Sequence, residues 1–166
     1  MVKLKAVVDS SFWINLNKTD LVKYLFDYFD LYFTEKVEDE LYDYKDTRAS
    51  VPKDLDSFIQ LKKLDFVQVK NPKTVSKKLF DTLSNYSGEI YTIALAEELN
   101  AIVLTDDSGP LKYCNRYGII SITTPTFILK LFKDRIITKE IAKQKINLIK
   151  KSIRKEIIGE ALKQLK

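Results

Sequence analysis

The sequence predicts an α/β protein: a doubly wound, three-layer α/β/α domain with a short, mostly parallel five-stranded sheet and a helical C-terminal extension. Five short apolar runs of strand character alternate with segments of helical periodicity. Neighbouring parallel strands need a crossover connection, and the intervening helices supply it. The chain has 166 residues, of which 45% are hydrophobic and 31% charged, and this suits one globular domain.

The amino-terminal half of the chain contains three of the predicted strands. Their apolar runs lie at Leu4–Val8, 30–33 and 66–69. Helical periodicity is found near 19–29 and 54–63. A further helix follows the second strand, where Thr34 is placed as an N-cap and Glu35 complements the dipole of the first turn. These helices supply the crossovers between the first three strands.

The carboxyl-terminal half supplies the other two strands and the helices around them. The strands are predicted at 101–105 and 119–122. The helices are predicted near 74–83, 88–99 and 111–117. Gly118 follows the last of these helices as a natural carboxyl-terminal cap, and Pro125 begins the helical tail. All five strands are thus separated by helices.

Composition excludes several kinds of chemistry. Cys114 is the only cysteine and histidine is absent, so an internal disulfide, the common zinc sites and His-based catalytic triads are ruled out. A metal ion would be held by oxygen atoms, which suits Mg²⁺, Mn²⁺ or Ca²⁺. No apolar run approaches the roughly 20 residues that span a bilayer, and the start of the chain does not read as a signal peptide. We therefore expect a soluble, cytoplasmic protein with no membrane partner.

The positive charge is concentrated in the tail. Residues 1–129 hold 16 Lys and Arg against 19 Asp and Glu, whereas residues 130–166 hold 12 against 4. Apolar residues recur in the tail at a spacing of four, with lysines between them, which predicts amphipathic helices. Such a surface is either a solvated helix face or a docking surface for a polyanion such as RNA.

Carboxylates follow two of the predicted strands. Asp9 ends the first strand, and Asp106 and Asp107 end the fourth. Sites in doubly wound sheets lie at the carboxyl ends of the strands. A single aspartate at such a position could simply cap the next helix. Two such positions on strands that could be neighbours indicate a shared acidic site.

Two further carboxylates can reach the same edge of the sheet. In the helix after the second strand, Val37, Leu41 and Tyr44 form the apolar stripe. At about 100° per residue, Glu40 lies about 60° from Val37 and flanks this stripe more closely than the other acids of the helix. Glu89 lies in the first turn of the helix that leads to the fourth strand, where it either complements the helix dipole or joins the acidic group.

Four segments together resemble the PIN domain, a nuclease fold that includes the VapC toxins. They are VVDSS, VEDEL, SGEIYTIALAEELNAIVLTDD and YGIISITTPTFIL. The resemblance covers about residues 3–132, so we predict a PIN-like catalytic domain over 1–132. Residues 133–166 are predicted to be a basic amphipathic helical extension packed on the same domain.

The resemblance implies a metal-dependent ribonuclease. Family members gather acids around one or two divalent cations, Mg²⁺ or Mn²⁺, and cleave RNA that is often single-stranded. Carried over by motif, the predicted catalytic and metal-binding residues are Asp9, Glu40, Glu89, Asp106 and Asp107. The fourth motif is ambiguous, and either aspartate of the doublet could be its main ligand. Four crowded carboxylates repel each other, and a divalent cation removes that conflict.

Other residues are assigned supporting roles, three polar ones by the resemblance and the basic ones because an acidic pocket alone repels RNA. Ser11, Ser108 and the weaker candidate Asn15 stand where polar groups assist the water shell of a metal ion. Lys112 and Arg116, together with the basic tail, are predicted contacts of the RNA backbone. A homodimer and an antitoxin protein are the implied protein partners. The main alternative is a PIN scaffold that binds nucleic acid or protein without cleaving it.

Overall fold

A five-stranded parallel sheet forms the middle layer of the part of the chain that the computed structural model describes, residues 2–43, 51–83 and 87–166. The strands are β1 Leu4–Val8, β2 Phe29–Phe33, β3 Val67–Val69, β4 Ile102–Leu104 and β5 Ser121–Ile122. Their order in the sheet is β3-β2-β1-β4-β5, and every pair is parallel. The predicted fold class is confirmed. The strand order makes β1 central and places it between β2 and β4.

Helices connect the strands and cover both faces of the sheet. They are α1 Ser10–Asn17, α2 Leu25–Tyr28, α3 Glu35–Asp43, α4 Lys53–Lys63, α5 Lys77–Leu83, α6 Ser87–Leu99, α7 Ser108–Tyr117, α8 Thr124–Lys133, α9 Lys139–Ile149 and α10 Lys155–Lys163. The helix predicted over 19–29 is shorter in the structure. Asp20 adopts a left-handed φ of 61°, a 3-10 turn follows at Val22–Tyr24, and only α2 is α-helical. The reversal at Asp20 turns the chain back from α1 towards β2.

Local capping explains several helix boundaries. The hydroxyl of Thr34 accepts a hydrogen bond from the backbone N–H of Val37 at 3.3 Å, as predicted for an N-cap. Gly118 ends α7 with a left-handed φ of 71°, a conformation that glycine adopts without steric cost. Thr123 caps α8 by accepting from the N–H of Thr126. Tyr44, the third member of the predicted stripe on α3, lies outside the described residues.

The sheet separates two apolar clusters, because successive residues of a strand face opposite sides. Ala6 and Val8 of β1 pack into the larger cluster with residues of α1, α4, α8, α9 and α10. Val7 packs into the smaller cluster with residues of α5, α6 and α7. Buried residues of the basic tail, including Ile146 and Ile158, belong to the larger cluster. Within the described ranges, no helix is both long and apolar enough to cross a membrane.

Candidate metal centre

The strand order brings the predicted acidic positions to one edge of the sheet. Val8 lies opposite Leu104 in the pairing of β1 with β4. The next residue along β1, Asp9, continues this pairing, and its N–H donates to the carbonyl of Leu104 at 2.9 Å. Asp9 is also the N-cap residue of α1, and Asp107 is the N-cap residue of α7. The carboxyl ends of the two strands therefore bring together residues that are nearly 100 positions apart.

Three carboxylates meet at this edge. One oxygen from each of Asp9, Glu89 and Asp107 lies within 4.8 Å of the other two. Asp9 is fully buried, whereas Glu89 and Asp107 are half-buried. Oxygen atoms at this spacing could hold a metal ion, and an all-carboxylate donor set suits a hard cation. We call this group the acidic triad.

The two oxygens of Asp9 have different surroundings. Oδ2 accepts hydrogen bonds from the hydroxyls of Ser11 at 2.9 Å and Thr105 at 2.8 Å. Oδ1 is buried and makes no hydrogen bond with any residue that the structure describes. A buried carboxylate oxygen without a partner is costly, because it has lost its hydration and gained nothing in return. A cation bound between the carboxylates would satisfy this oxygen, so the residues present fit a metal ion.

The electrostatics of the triad also favour a bound cation. Burial raises the pKa of Asp9 well above its ordinary value, and the charges of Glu89 and Asp107 raise it further. Burial likewise raises the pKa of Glu89 to about 7, with added contributions from Asp107 and Glu40. These shifts mean that the triad cannot carry all of its negative charges at low cost. A proton or a cation must offset part of the repulsion.

Glu40 lies beside the triad on a separate helix. The hydroxyl of Ser10 donates to its Oε2 at 2.6 Å. The side chain is half-buried, and its carboxylate lies against Gly88 at the start of α6. Burial raises the pKa of Glu40, and the charge of Asp107 adds to the shift. The carboxylate of Glu40 is thus close enough to interact electrostatically with the triad, although its oxygens do not belong to the group that lies within 4.8 Å.

The two aspartates of the doublet have different environments. Asp106 is buried and points into a hydrogen-bonding pocket, where it accepts from the N–H of Thr124 at 2.6 Å, the hydroxyl of Thr124 at 2.6 Å and the amide of Asn15 at 2.8 Å. It therefore ties α1 to the first turn of α8. Asp107 instead joins the acidic triad. This geometry favours Asp107 over Asp106 as a direct ligand.

The other residues named from the sequence fall into three places. Ser11 supports Asp9 and also accepts a hydrogen bond from the N–H of Asp106 at 3.1 Å, so it links both strand ends. Asn15 contacts Asp106 rather than the triad. Ser108 is the first residue of α7 and is half-buried. Lys112 and Arg116 are exposed further along α7.

Several residues of the site were missed at the sequence level. Thr105 donates to Asp9 and also accepts from the N–H of Asp107 at 3.2 Å. Thr124 supplies two of the three hydrogen bonds to Asp106. In the sequence, Thr105 could have been noticed because it directly precedes the aspartate doublet. Thr124 could have been noticed because it precedes Pro125 at a helix start. Their partners are distant in the chain, so the pattern alone does not assign these contacts.

The doubly wound sheet and the carboxylates at its carboxyl edge define a class of α/β domain with an oxygen-donor site. A family model described as a PIN domain matches residues 5–166, and the chain belongs to this family. The match extends from β1 through the basic tail. PIN domains are generally nucleases, so the domain has a nuclease-type fold. No curated protein matches the chain at a significant level.

Proposed function

We propose that this protein is a divalent-metal-dependent endoribonuclease that hydrolyses phosphodiester bonds of single-stranded RNA. The observation that carries the proposal is the unpartnered, buried Oδ1 of Asp9, a member of the acidic triad. A structural role for Asp9 would be served by its bonded oxygen alone. A buried carboxylate oxygen without a hydrogen bond, on a residue that meets two other carboxylates, is suited to a metal ion.

The triad would hold Mg²⁺ or Mn²⁺ through Asp9, Glu89 and Asp107, with Glu40 beside it. When bound, such an ion activates a water molecule and neutralises charge that develops on the scissile phosphate. Ser11 and Thr105 hold Asp9 in place through its other oxygen. Asp106 fixes α1 and α8 relative to the strand ends and so supports the edge of the sheet on which the triad stands.

An acidic site repels RNA unless positive charges lie near it. The connection between α9 and α10 offers such charges: Lys150, Lys151 and Arg154 are exposed, as is Lys155 at the start of α10. No acidic residue occurs from 141 to 155, where six residues are Lys or Arg. Lys18, just after α1, donates to Ser152 of this connection at 3.1 Å. Because α1 begins at the triad and its eight residues span about 12 Å, we propose that the connection and α7 contact the backbone of bound RNA.

The decisive test combines cleavage with binding. Labelled single-stranded RNA is incubated with the protein and Mg²⁺ or Mn²⁺, beside Asp9→Asn and the control Asp39→Asn, which removes an exposed charge next to Glu40. We expect cleavage by the wild type and the control, and its loss in Asp9→Asn and in EDTA. Metal-independent products, or equal cleavage by Asp9→Asn, would contradict the proposal. RNA binding without cleavage would favour the non-cleaving scaffold.

The salt dependence of RNA binding tests the role of the connection between α9 and α10. Replacing Lys150 and Lys151 by alanine should lower the slope of log affinity against log salt by up to about 1.4, because each lost contact to a single strand contributes about 0.7. The matched control replaces Lys3 and Lys5, which are exposed near the amino end of β1. The control should leave the slope unchanged. An equal change in both variants would indicate a general charge effect.

We also propose a more specific biological role, that of a VapC-like toxin in a toxin-antitoxin pair. It supposes a cytoplasmic homodimer that an antitoxin protein inhibits. The support is the resemblance of the four acidic motifs together with the family match. Induced expression should then arrest growth for the wild type and not for Asp9→Asn, at equal protein levels. Normal growth with the wild type, despite cleavage in vitro, would indicate an RNA-processing role instead.

A further inference from the structure

Gly88 occupies a crowded position at the start of α6. A Cβ atom added to this residue would lie 2.7 Å from Cδ of Glu40 and 3.0 Å from its Oε2, and closer still to Oε1. Real Cβ atoms essentially never approach heavy atoms below 3.0 Å. The observed position of the Glu40 carboxylate therefore requires a residue without a side chain at 88.

The lack of room for a side chain, and not an unusual backbone conformation, explains the glycine at position 88. Of the glycines that the structure describes, only Gly118 has a positive φ. Gly88 is the second residue of α6, where alanine would adopt the same backbone more readily, since glycine is a poorer helix former. The glycine thus weakens the helix locally, and the contact with Glu40 is the feature of the structure that explains it.

The carboxylate of Glu40 is held from two sides. Ser10, directly after Asp9, donates to Oε2 at 2.6 Å, and Gly88, directly before Glu89, leaves room for the carboxylate group. Each neighbour of Glu40 is thus adjacent in sequence to a member of the acidic triad. The first turn of α6 also favours a negative charge, because its backbone N–H groups are at the positive end of the helix dipole.

We propose that Gly88 is a positioning residue of the metal centre: its missing side chain lets α6 approach α3 so closely that Glu40 becomes a fourth carboxylate beside the acidic triad. This inference rests on the proposed metal-dependent function. It assigns to the glycine a role that is separate from the ligands, since Gly88 itself offers no side-chain oxygen to a metal ion.

The first experiment measures Mn²⁺ binding by calorimetry for Gly88→Ala and for the control Gly159→Ala. Gly159 is inside α10, and a Cβ atom there would have no heavy atom within 4 Å. We expect Gly88→Ala to weaken Mn²⁺ binding at least fivefold, whereas Gly159→Ala leaves it within twofold of the wild type. Equal binding by all three proteins would overturn the inference. No binding by the wild type would instead overturn the proposed metal-dependent function.

The second experiment asks whether a shorter acid restores the fit. Glu40→Asp withdraws the carboxylate by one C–C bond, about 1.5 Å, and so makes room for a methyl group at 88. Glu40→Asp alone should bind Mn²⁺ more weakly than the wild type, whereas Glu40→Asp combined with Gly88→Ala should bind it more tightly than Gly88→Ala alone. Losses that simply multiply in the double variant would overturn the inference.

A third measurement separates this effect from misfolding. In metal-free protein, Gly88→Ala should raise the unfolding midpoint less when Glu40 is present, because its carboxylate must then move away, than in a Glu40→Ala background, where only the gain in helix propensity remains. An equal change in both backgrounds would contradict the proposed contact. This readout needs no metal ion, so it reports on the geometry alone.

Discussion

Replacing Asp106 or Asp107 by alanine in metal-free protein should change the stability in opposite directions. Asp106→Ala removes the acceptor of three hydrogen bonds from Thr124 and Asn15. Each buried donor left without a partner costs about 1–3 kcal/mol. Burial raises the pKa of Asp106, so the folded protein pays a cost for the buried carboxylate, and losing that cost offsets part of the decrease. We expect a net decrease of about 2–4 kcal/mol in the free energy of unfolding.

Asp107→Ala should have the opposite sign. It removes a charge that lies within 4.8 Å of an oxygen of Asp9 and of Glu89. At that separation and an effective dielectric constant of about 20, one like-charge pair costs about 3.5 kcal/mol. Proton uptake by Glu89 and exposure to solvent reduce this, so we expect a gain of about 1 kcal/mol. The side chain of Asp107 makes no capping hydrogen bond to α7, so that helix loses none.

Urea denaturation at pH 8 in EDTA measures both changes. With Mn²⁺ added, the wild type should gain stability and Asp107→Ala should gain little, because ligand binding stabilises only the protein that binds. Asp106→Ala should still respond to the metal ion. A lower stability of Asp107→Ala than of the wild type in EDTA would refute this prediction. So would a difference between Asp106→Ala and the wild type of less than about 0.5 kcal/mol, the range of ordinary surface substitutions.

Three further predictions concern pH, the thiol and the tail. Because burial raises the pKa of Glu89 from 4.5 to about 7, the folded protein holds this proton more tightly than the unfolded chain. The stability that comes from this proton is therefore present below pH 4.5 and is lost as the pH rises through 7. Urea midpoints measured against pH should show this decrease, and Glu89→Gln should make it smaller. Burial also raises the pKa of Cys114 to about 12, so the thiol should react with Ellman's reagent at pH 8 only after denaturant is added; rapid reaction of the native protein would refute this. Ile146→Ala in α9, where the side chain is fully buried in the larger cluster, should lower stability by about 2–5 kcal/mol in one cooperative transition, and a separate early transition would show that the tail unfolds independently.

The order and type of the main elements can be predicted from the amino-acid sequence. Apolar runs separated by helical periods were sufficient to predict all five strands, because a parallel strand buried on both faces is a short continuous apolar segment. The same pattern placed Asp9 and the doublet after strands. Helical geometry distinguished Glu40, now half-buried beside the triad, from exposed acids of α3 such as Glu35 and Asp39. The helix over 19–29 was predicted too long because periodicity does not reveal a reversal at one residue.

The contacts of each polar side chain depend on the tertiary structure. Asp106 and Asp107 are indistinguishable as a pattern, yet Asn15, 91 residues before Asp106, draws one into a structural pocket, while the other turns to Asp9 and Glu89. Thr105 supports Asp9 across 96 residues, and Gly88 is explained only by the carboxylate that lies against it. A sequence records the periodicity of its own segments. Contacts between distant residues depend on strand order and helix packing, which bring these groups within a few ångströms.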